Sequence, residues 1–193
     1  MVVKLAVFAS GRGTNFSAIQ QAIQAEKMPA EIVRVISDKA DAGVLELASQ
    51  FGIPVTVVDY KQYPDRISVE RDIIDVLRLS GVDGILLAGY MRILTPVLLS
   101  AYPNKIINIH PALLPSFPGN HGIEDAYNYG VKVTGVTVHF VDAGMDTGKI
   151  IAQQPVIIEQ GDTLAVVETK IHAAEHILYP KTLKTLLEKG VFN

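Results

Sequence analysis

The sequence predicts an α/β fold: a mostly parallel sheet flanked by helices, with antiparallel strands added near the C-terminal end. Three observations predict it. Short apolar runs recur at even spacing along the first part of the chain. Amphipathic helical stretches separate them. Beyond residue 130, two strand-like runs follow one another with no helical stretch between. Strand–helix–strand alternation closes by right-handed crossovers into parallel pairs, whereas strands joined directly by a loop pair antiparallel.

Residues 2–9 are apolar except for Lys4, the pattern of a strand buried on both faces. Residues 14–26 carry Phe16, Ile19, Ala22 and Ile23 at helical spacing. A second strand covers 32–36, a second helix 42–51 is stopped by Gly52, and a third strand covers 54–58. Residues 64–79 form a long helix with Ile67, Ile73, Ile74 and Leu77 on one face. A fourth strand spans 84–88, a short helix 95–101, and a fifth strand leads from 105 into Asn108. The runs 132–140 and 149–158 form the antiparallel extension, and 163–189 is a last helix with a kink expected at Pro180. The whole is Rossmann-like, without repeat or low-complexity tract, and its 193 residues read as one domain.

Composition narrows the function. Apolar residues make up 49% and charged residues 19%, the balance of a folded chain, yet no apolar run reaches bilayer length. Lys plus Arg number 17 against 20 for Asp plus Glu, with no basic block, so neither nucleic acid nor a membrane is an expected partner. The absence of Cys removes disulfides, thiolate nucleophiles and Cys-based metal sites. His121, His172 and His176 show no metal spacing, and the HExxH and GxSxG patterns are missing, so no metal and no serine nucleophile are expected. The opening apolar run enters a glycine turn and not a cleavage site, which leaves the cytoplasm as the expected location.

The first strand–helix turn reads Ser10-Gly11-Arg12-Gly13-Thr14-Asn15. Glycines there let an anion approach the backbone, and the helix start presents free N–H groups. Phe16 stands where a dinucleotide fingerprint needs its third glycine, and no Gly-Lys-Ser/Thr follows. The turn therefore suits a single phosphate, or is a plain turn with Thr14 or Asn15 as helix cap. Asp38, after the second strand, is either a ribose-binding acid of a dehydrogenase or an ordinary turn residue.

The fifth strand closes on Asn108-Ile109-His110-Pro111. Residues two apart share a face, so Asn108 and His110 project together at the carboxyl end of a parallel strand, where open α/β sheets bind ligands. Pro111, Pro115 and Pro118 stiffen the loop that follows. An amide donor beside an imidazole makes a polariser with an acid/base; the alternative is a structural histidine capping a loop. Asp146, in the loop 141–148 with Asp142, is the candidate partner whose charge would favour an imidazolium, unless it serves only the turn. His139, which shares a face with Thr137, reads as a support residue.

Residues 10–15, 89–94 (Gly-Tyr-Met-Arg-Ile-Leu), 108–119 and 134–148 together resemble the folate-dependent formyltransferases. The resemblance covers essentially the whole chain in order, and Asn-Ile-His-Pro followed by Leu-Leu-Pro and Pro-Gly is specific to that group. Within it, the short chain and the phosphate turn point to the phosphoribosylglycinamide formyltransferases. Methionyl-tRNA formyltransferases carry a further C-terminal domain, and formyltetrahydrofolate deformylases a further N-terminal one. Lys149 departs from the pattern, since relatives often carry proline there.

The resemblance implies transfer of a formyl group from the cosubstrate 10-formyltetrahydrofolate to the amine of glycinamide ribonucleotide, through a tetrahedral intermediate and without metal. It implies Asn108, His110 and Asp146 as catalytic residues. It places the nucleotide on Gly13, Thr14, Asn15 and Glu175. The folate would lie against Arg66, Met91, Arg92, Ile93, Leu94, Asn108, Val141, Asp142 and Asp146. It also implies a cis Leu114–Pro115 bond, a nucleotide half over about residues 1–100, a folate-binding and catalytic half over about 101–193, and a monomer or homodimer.

Overall fold

The computed structural model describes residues 2–193; Met1, the first residue of the expected domain, lies outside them. Seven strands form one sheet: β1 (Val3–Phe8), β2 (Ala30–Ser37), β3 (Val55–Val57), β4 (Gly84–Leu87), β5 (Ile106–His110), β6 (Val133–Phe140) and β7 (Ile150–Ile157). Their order is β3-β2-β1-β4-β5-β6-β7. The first five pair in parallel, and β5–β6 and β6–β7 are antiparallel. The alternation at the start of the chain and its loss near the end therefore translate directly into the two halves of the sheet.

The helices are α1 (Thr14–Ala25), α2 (Gly43–Gln50), α3 (Arg66–Leu79), α4 (Pro96–Ala101), α5 (Gly122–Tyr129) and α6 (Leu164–Glu188). One apolar layer joins α1, α2 and α6 to one face of the sheet. A second joins α3 and α4 to the other face. Burial on both faces is why the central strands read as unbroken apolar runs. Tyr179 of α6, fully buried, donates its hydroxyl to the carbonyls of Leu87 (2.9 Å) and Ile107 (3.2 Å), which ties that helix to β4 and β5.

Several sequence expectations change. The long helix starts at Arg66, because Asp65 accepts the Ser68 N–H (2.7 Å) as its cap, and residues 60–62 form a separate helical turn. Helix α6 is one element through Pro180, as the sequence predicts. Helix α5 has no counterpart in the sequence reading: Gly119, Asn120 and Gly122 give its approach the look of a loop. Ile123, Ala126 and Tyr127 nevertheless turn one face inward, and Gly130, at φ 84, stops it. Lys149 leaves the hairpin closed, since its carbonyl accepts the Phe140 N–H at 2.9 Å.

Candidate active site

A cleft of about 560 Å³ opens along the carboxyl ends of β1, β4 and β5. That is the size of an ordinary small-molecule site and the position expected of an open α/β sheet. Its lining joins residues 11–15, His172 and Glu175, the strand-end pair Asn108 and His110, residues 91–94, and Val141, Asp142, Gly144, Met145 and Asp146. Arg66, the first residue of α3, also reaches it. Every site residue that the resemblance implied lines this one cleft, and Asp38 does not; Arg12, Gly89, Tyr90, Asn120, His139 and His172 join them.

The central group is assembled by register. Antiparallel pairing sets Asn108 opposite His139 and His110 opposite Thr137. His139 Nδ1–H donates to its neighbour's carbonyl, Phe140 O, at 2.8 Å. Burial holds the His139 pKa below its ordinary value, against the Phe140 bond and the Asp146 charge, so its Nε2 is a lone pair. That lone pair accepts Asn108 Nδ2–H at 3.2 Å, which fixes the orientation of the amide and leaves its second hydrogen free.

His110 is 3% exposed, and its Nε2–H donates to Phe117 O at 2.8 Å. Its Nδ1 stands 3.5 Å from Asp146 Oδ2, while Asp146 Oδ1 stands 3.6 Å from His139 Nε2. Asp146 is anchored by the Gly119 N–H, which donates to Oδ2 at 2.8 Å. One carboxylate thus faces both imidazoles. Asp142 accepts from Gly144 N–H (3.1 Å) and the Thr147 hydroxyl (2.7 Å), which shapes the loop carrying Asp146.

The proline-stiffened loop is clamped from β6 and β7. Thr137 Oγ1 donates to Ala112 O (2.7 Å) and accepts from Leu114 N–H (3.0 Å), while Gln153 Nε2 donates to Leu114 O (2.9 Å). The Leu114–Pro115 peptide is cis. This clamp carries Phe117 O back onto His110, and Thr137, paired in sequence only with His139, turns out to hold the loop and not the chemistry.

At the first turn, the helix-cap expectation is corrected. Gly13, at φ 79, occupies the N-cap position of α1, and no side chain caps it. A left-handed backbone there favours glycine. Asn15 is buried and turned across the cleft: its Nδ2 donates to Glu175 Oε2 at 3.2 Å, while its Oδ1 has no partner among the described residues. His172 Nδ1 meets the same Glu175 oxygen at 2.9 Å, and this bond raises the His172 pKa despite partial burial. The i, i+3 spacing of His172 and Glu175 on α6 was the sequence signal for that pair.

Asp38 is neither a ribose acid nor a free turn residue, because its carboxylate is bonded to Arg92 Nε at 2.6 Å. Glu70 lies on the buried face of α3, and its carboxylate accepts the Thr95 N–H (2.6 Å) and Leu98 N–H (3.1 Å). It thereby fixes the start of α4 just after residues 91–94. An acid on the apolar face of the 64–79 helix was the sequence signal for it.

Among the described residues, no cluster of His, Cys, Asp or Glu is placed to hold a metal ion. No helix among them is long and apolar enough to cross a membrane.

The sequence model of the family described as Formyl transferase matches residues 3–183. A phosphoribosylglycinamide formyltransferase of Bacillus subtilis (strain 168) is 49% identical over 184 residues, 95% of this chain and 94% of that protein. The trifunctional purine biosynthetic protein adenosine-3 of Homo sapiens is 40% identical over 181 residues, which are 94% of this chain but 18% of that much longer protein. The crystal structure of a phosphoribosylglycinamide formyltransferase from Bacillus halodurans matches with a TM-score of 0.94 at 51% identity, over 97% of this chain and 96% of that one.

Proposed function

The chain belongs to the formyl transferase family, and from that premise we propose how its own residues divide the work of one reaction. The reaction is transfer of the formyl group from 10-formyltetrahydrofolate to the amine of glycinamide ribonucleotide in purine biosynthesis. The observation that carries the assignment of roles is the group Asn108, His110, His139 and Asp146, which shares one cleft with a phosphate-sized turn and a wall of backbone and apolar side chains.

The nucleotide phosphate lies on the backbone N–H groups of Gly13, Thr14 and Asn15 at the start of α1, where the helix dipole favours an anion. Glu175 accepts from the ribose. The unpartnered Asn15 Oδ1 supports a ligand at this end, since a buried acceptor without a donor is costly. The folate lies against Met91, Arg92, Ile93 and Leu94 on one side and Val141, Asp142 and Asp146 on the other, with Arg66 at the cleft mouth beside its tail. The chain acts as a single formyltransferase domain: the part up to about residue 100 supplies the phosphate turn, and the part after it the catalytic strand. Both cosubstrates are soluble metabolites, which fits a cytoplasmic enzyme without nucleic-acid or membrane partners, active as a monomer or homodimer.

In the chemical step the substrate amine forms a bond to the formyl carbon, and the carbonyl oxygen gains negative charge. The free Asn108 N–H and a proton on His110 Nδ1 donate to that oxygen; both are preorganised by their other bonds, to His139 and to Phe117 O. Asp146 stabilises the His110 cation. It also holds a water that takes the proton from the attacking amine and delivers it to N10 of the folate as the C–N10 bond breaks. No covalent enzyme intermediate is required. Holding the two cosubstrates in one cleft supplies a large further part of the acceleration.

The test is an absorbance assay of folate deformylation with and without glycinamide ribonucleotide. Turnover that requires the nucleotide supports the reading. Turnover without it marks a hydrolase, and binding without turnover marks a ligand-binding module; either result overturns it.

A further inference from the structure

Asp38 drew attention in the sequence, yet it contacts neither proposed cosubstrate site directly. Its side chain is 1% exposed, while that of its partner Arg92 is 42% exposed. Arg92 Nε donates to Asp38 Oδ2, and Asp38 Oδ1 has no partner among the described residues. The guanidinium is therefore the neutralising partner of a buried carboxylate, a contact costly to break because it would leave the charge uncompensated. Arg92 is held on a second side by the ring of Tyr60, 4.6 Å from its centre, and Tyr60 in turn bonds hydroxyl to hydroxyl with Tyr90 at 3.0 Å. The neighbouring backbone is pinned to the end of β1: Ser10 N–H donates to Gly89 O (3.0 Å), and Ser10 Oγ accepts the Met91 N–H (2.9 Å).

From these contacts we infer that Asp38 is a positioning residue for the folate wall. It clamps Arg92, and through it the backbone of residues 90–92, in the conformation that lines the cleft. The inference rests on the proposed placement of folate against residues 91–94. The segment has no regular secondary structure of its own, so its shape depends on these side-chain anchors. Ser10 fixes it from β1, and Asp38 fixes it from the end of β2. The chemical group at Asn108 and His110 sits on a different strand and shares none of these bonds, so loss of the clamp acts on folate affinity and not on the chemical step.

The experiment measures tetrahydrofolate binding by calorimetry, together with KM and kcat, for wild type, Asp38→Asn, Arg92→Gln and the double variant. Asp38→Asn keeps the size of the side chain but loses its charge. Arg92→Gln breaks the same contact from the exposed side, where folding is less at risk. Each single variant is expected to weaken tetrahydrofolate roughly tenfold, the scale of one charge-assisted hydrogen bond. For Asp38→Asn the nucleotide KM and saturating kcat should stay within about twofold, and the double variant should bind folate no worse than Arg92→Gln alone, because both changes break one contact. Equal losses for folate and nucleotide in Asp38→Asn, additive losses in the double variant, or unchanged folate binding in a folded Asp38→Asn would overturn the inference. Wild-type protein that fails to bind tetrahydrofolate would overturn the placement of folate, and the inference with it.

Discussion

Replacing Asp146 by Asn isolates a charge from a shape. Asn retains an oxygen that can accept the Gly119 N–H, now 2.8 Å from Oδ2. Its amide group then takes the place of Oδ1, 3.6 Å from His139 Nε2, whose lone pair already accepts from Asn108. Asn also tolerates the left-handed backbone that residue 146 adopts at φ 54. The loop should therefore survive, and what disappears is the negative charge 3.5 Å from His110 Nδ1. Coulomb's law at that distance gives about 5 kcal/mol for a full ion pair at an effective dielectric near 20. Asp146 lies at the wall of an open cleft, and roughly half of that should remain after screening, about 2–3 kcal/mol. If that stabilisation is present only when His110 is a cation in the transition state, kcat should fall roughly 30- to 160-fold, with both KM values little changed. Steady-state kinetics of deformylation give kcat, and a melting curve shows whether the loop has held. A kcat within about threefold of wild type in a stably folded variant would refute the electrostatic role and leave Asp146 as a loop residue.

His110→Ala removes the proton donor and leaves β5 intact; it should lower kcat on the order of a hundredfold or more with modest change in KM, and near-normal turnover in stopped-flow assays would contradict its role. Gly13→Ala should cost about 2–4 kcal/mol in urea unfolding, because φ is +79 and the new Cβ would lie 2.8 Å from the Val44 backbone, whereas Gly11→Ala, with nothing within 4 Å, should cost no more than about 0.5 kcal/mol. The close approach at Gly13 is therefore to α2, a reason for glycine independent of any phosphate. His172 has a raised pKa through its bond to Glu175, so its stabilising contribution is complete below the unfolded value of about 6.5 and is lost as pH rises through the folded value. Melting temperatures of wild type and His172→Gln should differ most at the acid end of that window and converge above it; a constant difference would separate the pair from the titration.

Periodicity and turn chemistry carry far in this chain. Apolar runs without alternation forecast strands buried on both faces, and the missing helix after residue 130 forecast the antiparallel edge; both are local patterns that the physics of burial imposes directly on the sequence. The same locality put Asn108 and His110 on one face of a strand end, because a two-residue period is a property of any strand. Motif resemblance added the residues of the cleft walls, all of which line one cavity.

What tertiary structure alone decided are pairings between distant parts of the chain. Asn108 meets His139 only because β5 and β6 pair in one register; a shift by one residue would turn His139 to the opposite face. Asn15 meets Glu175 across 160 positions because α1 and α6 pack side by side on one face of the sheet. Asp38, by its place after a strand, reads as a ribose acid or an ordinary turn residue, yet it is claimed by Arg92, 54 positions away, because parallel order brings the ends of β2, β1 and β4 together. Helix α5 is not legible in the sequence because its eight residues, Gly122–Tyr129, carry little periodic signal, and its stability comes from packing against the core. Local propensity can fix where a residue points along its own element. Which partner it meets depends on crossovers and register, and those are settled by burial of the whole sheet at once.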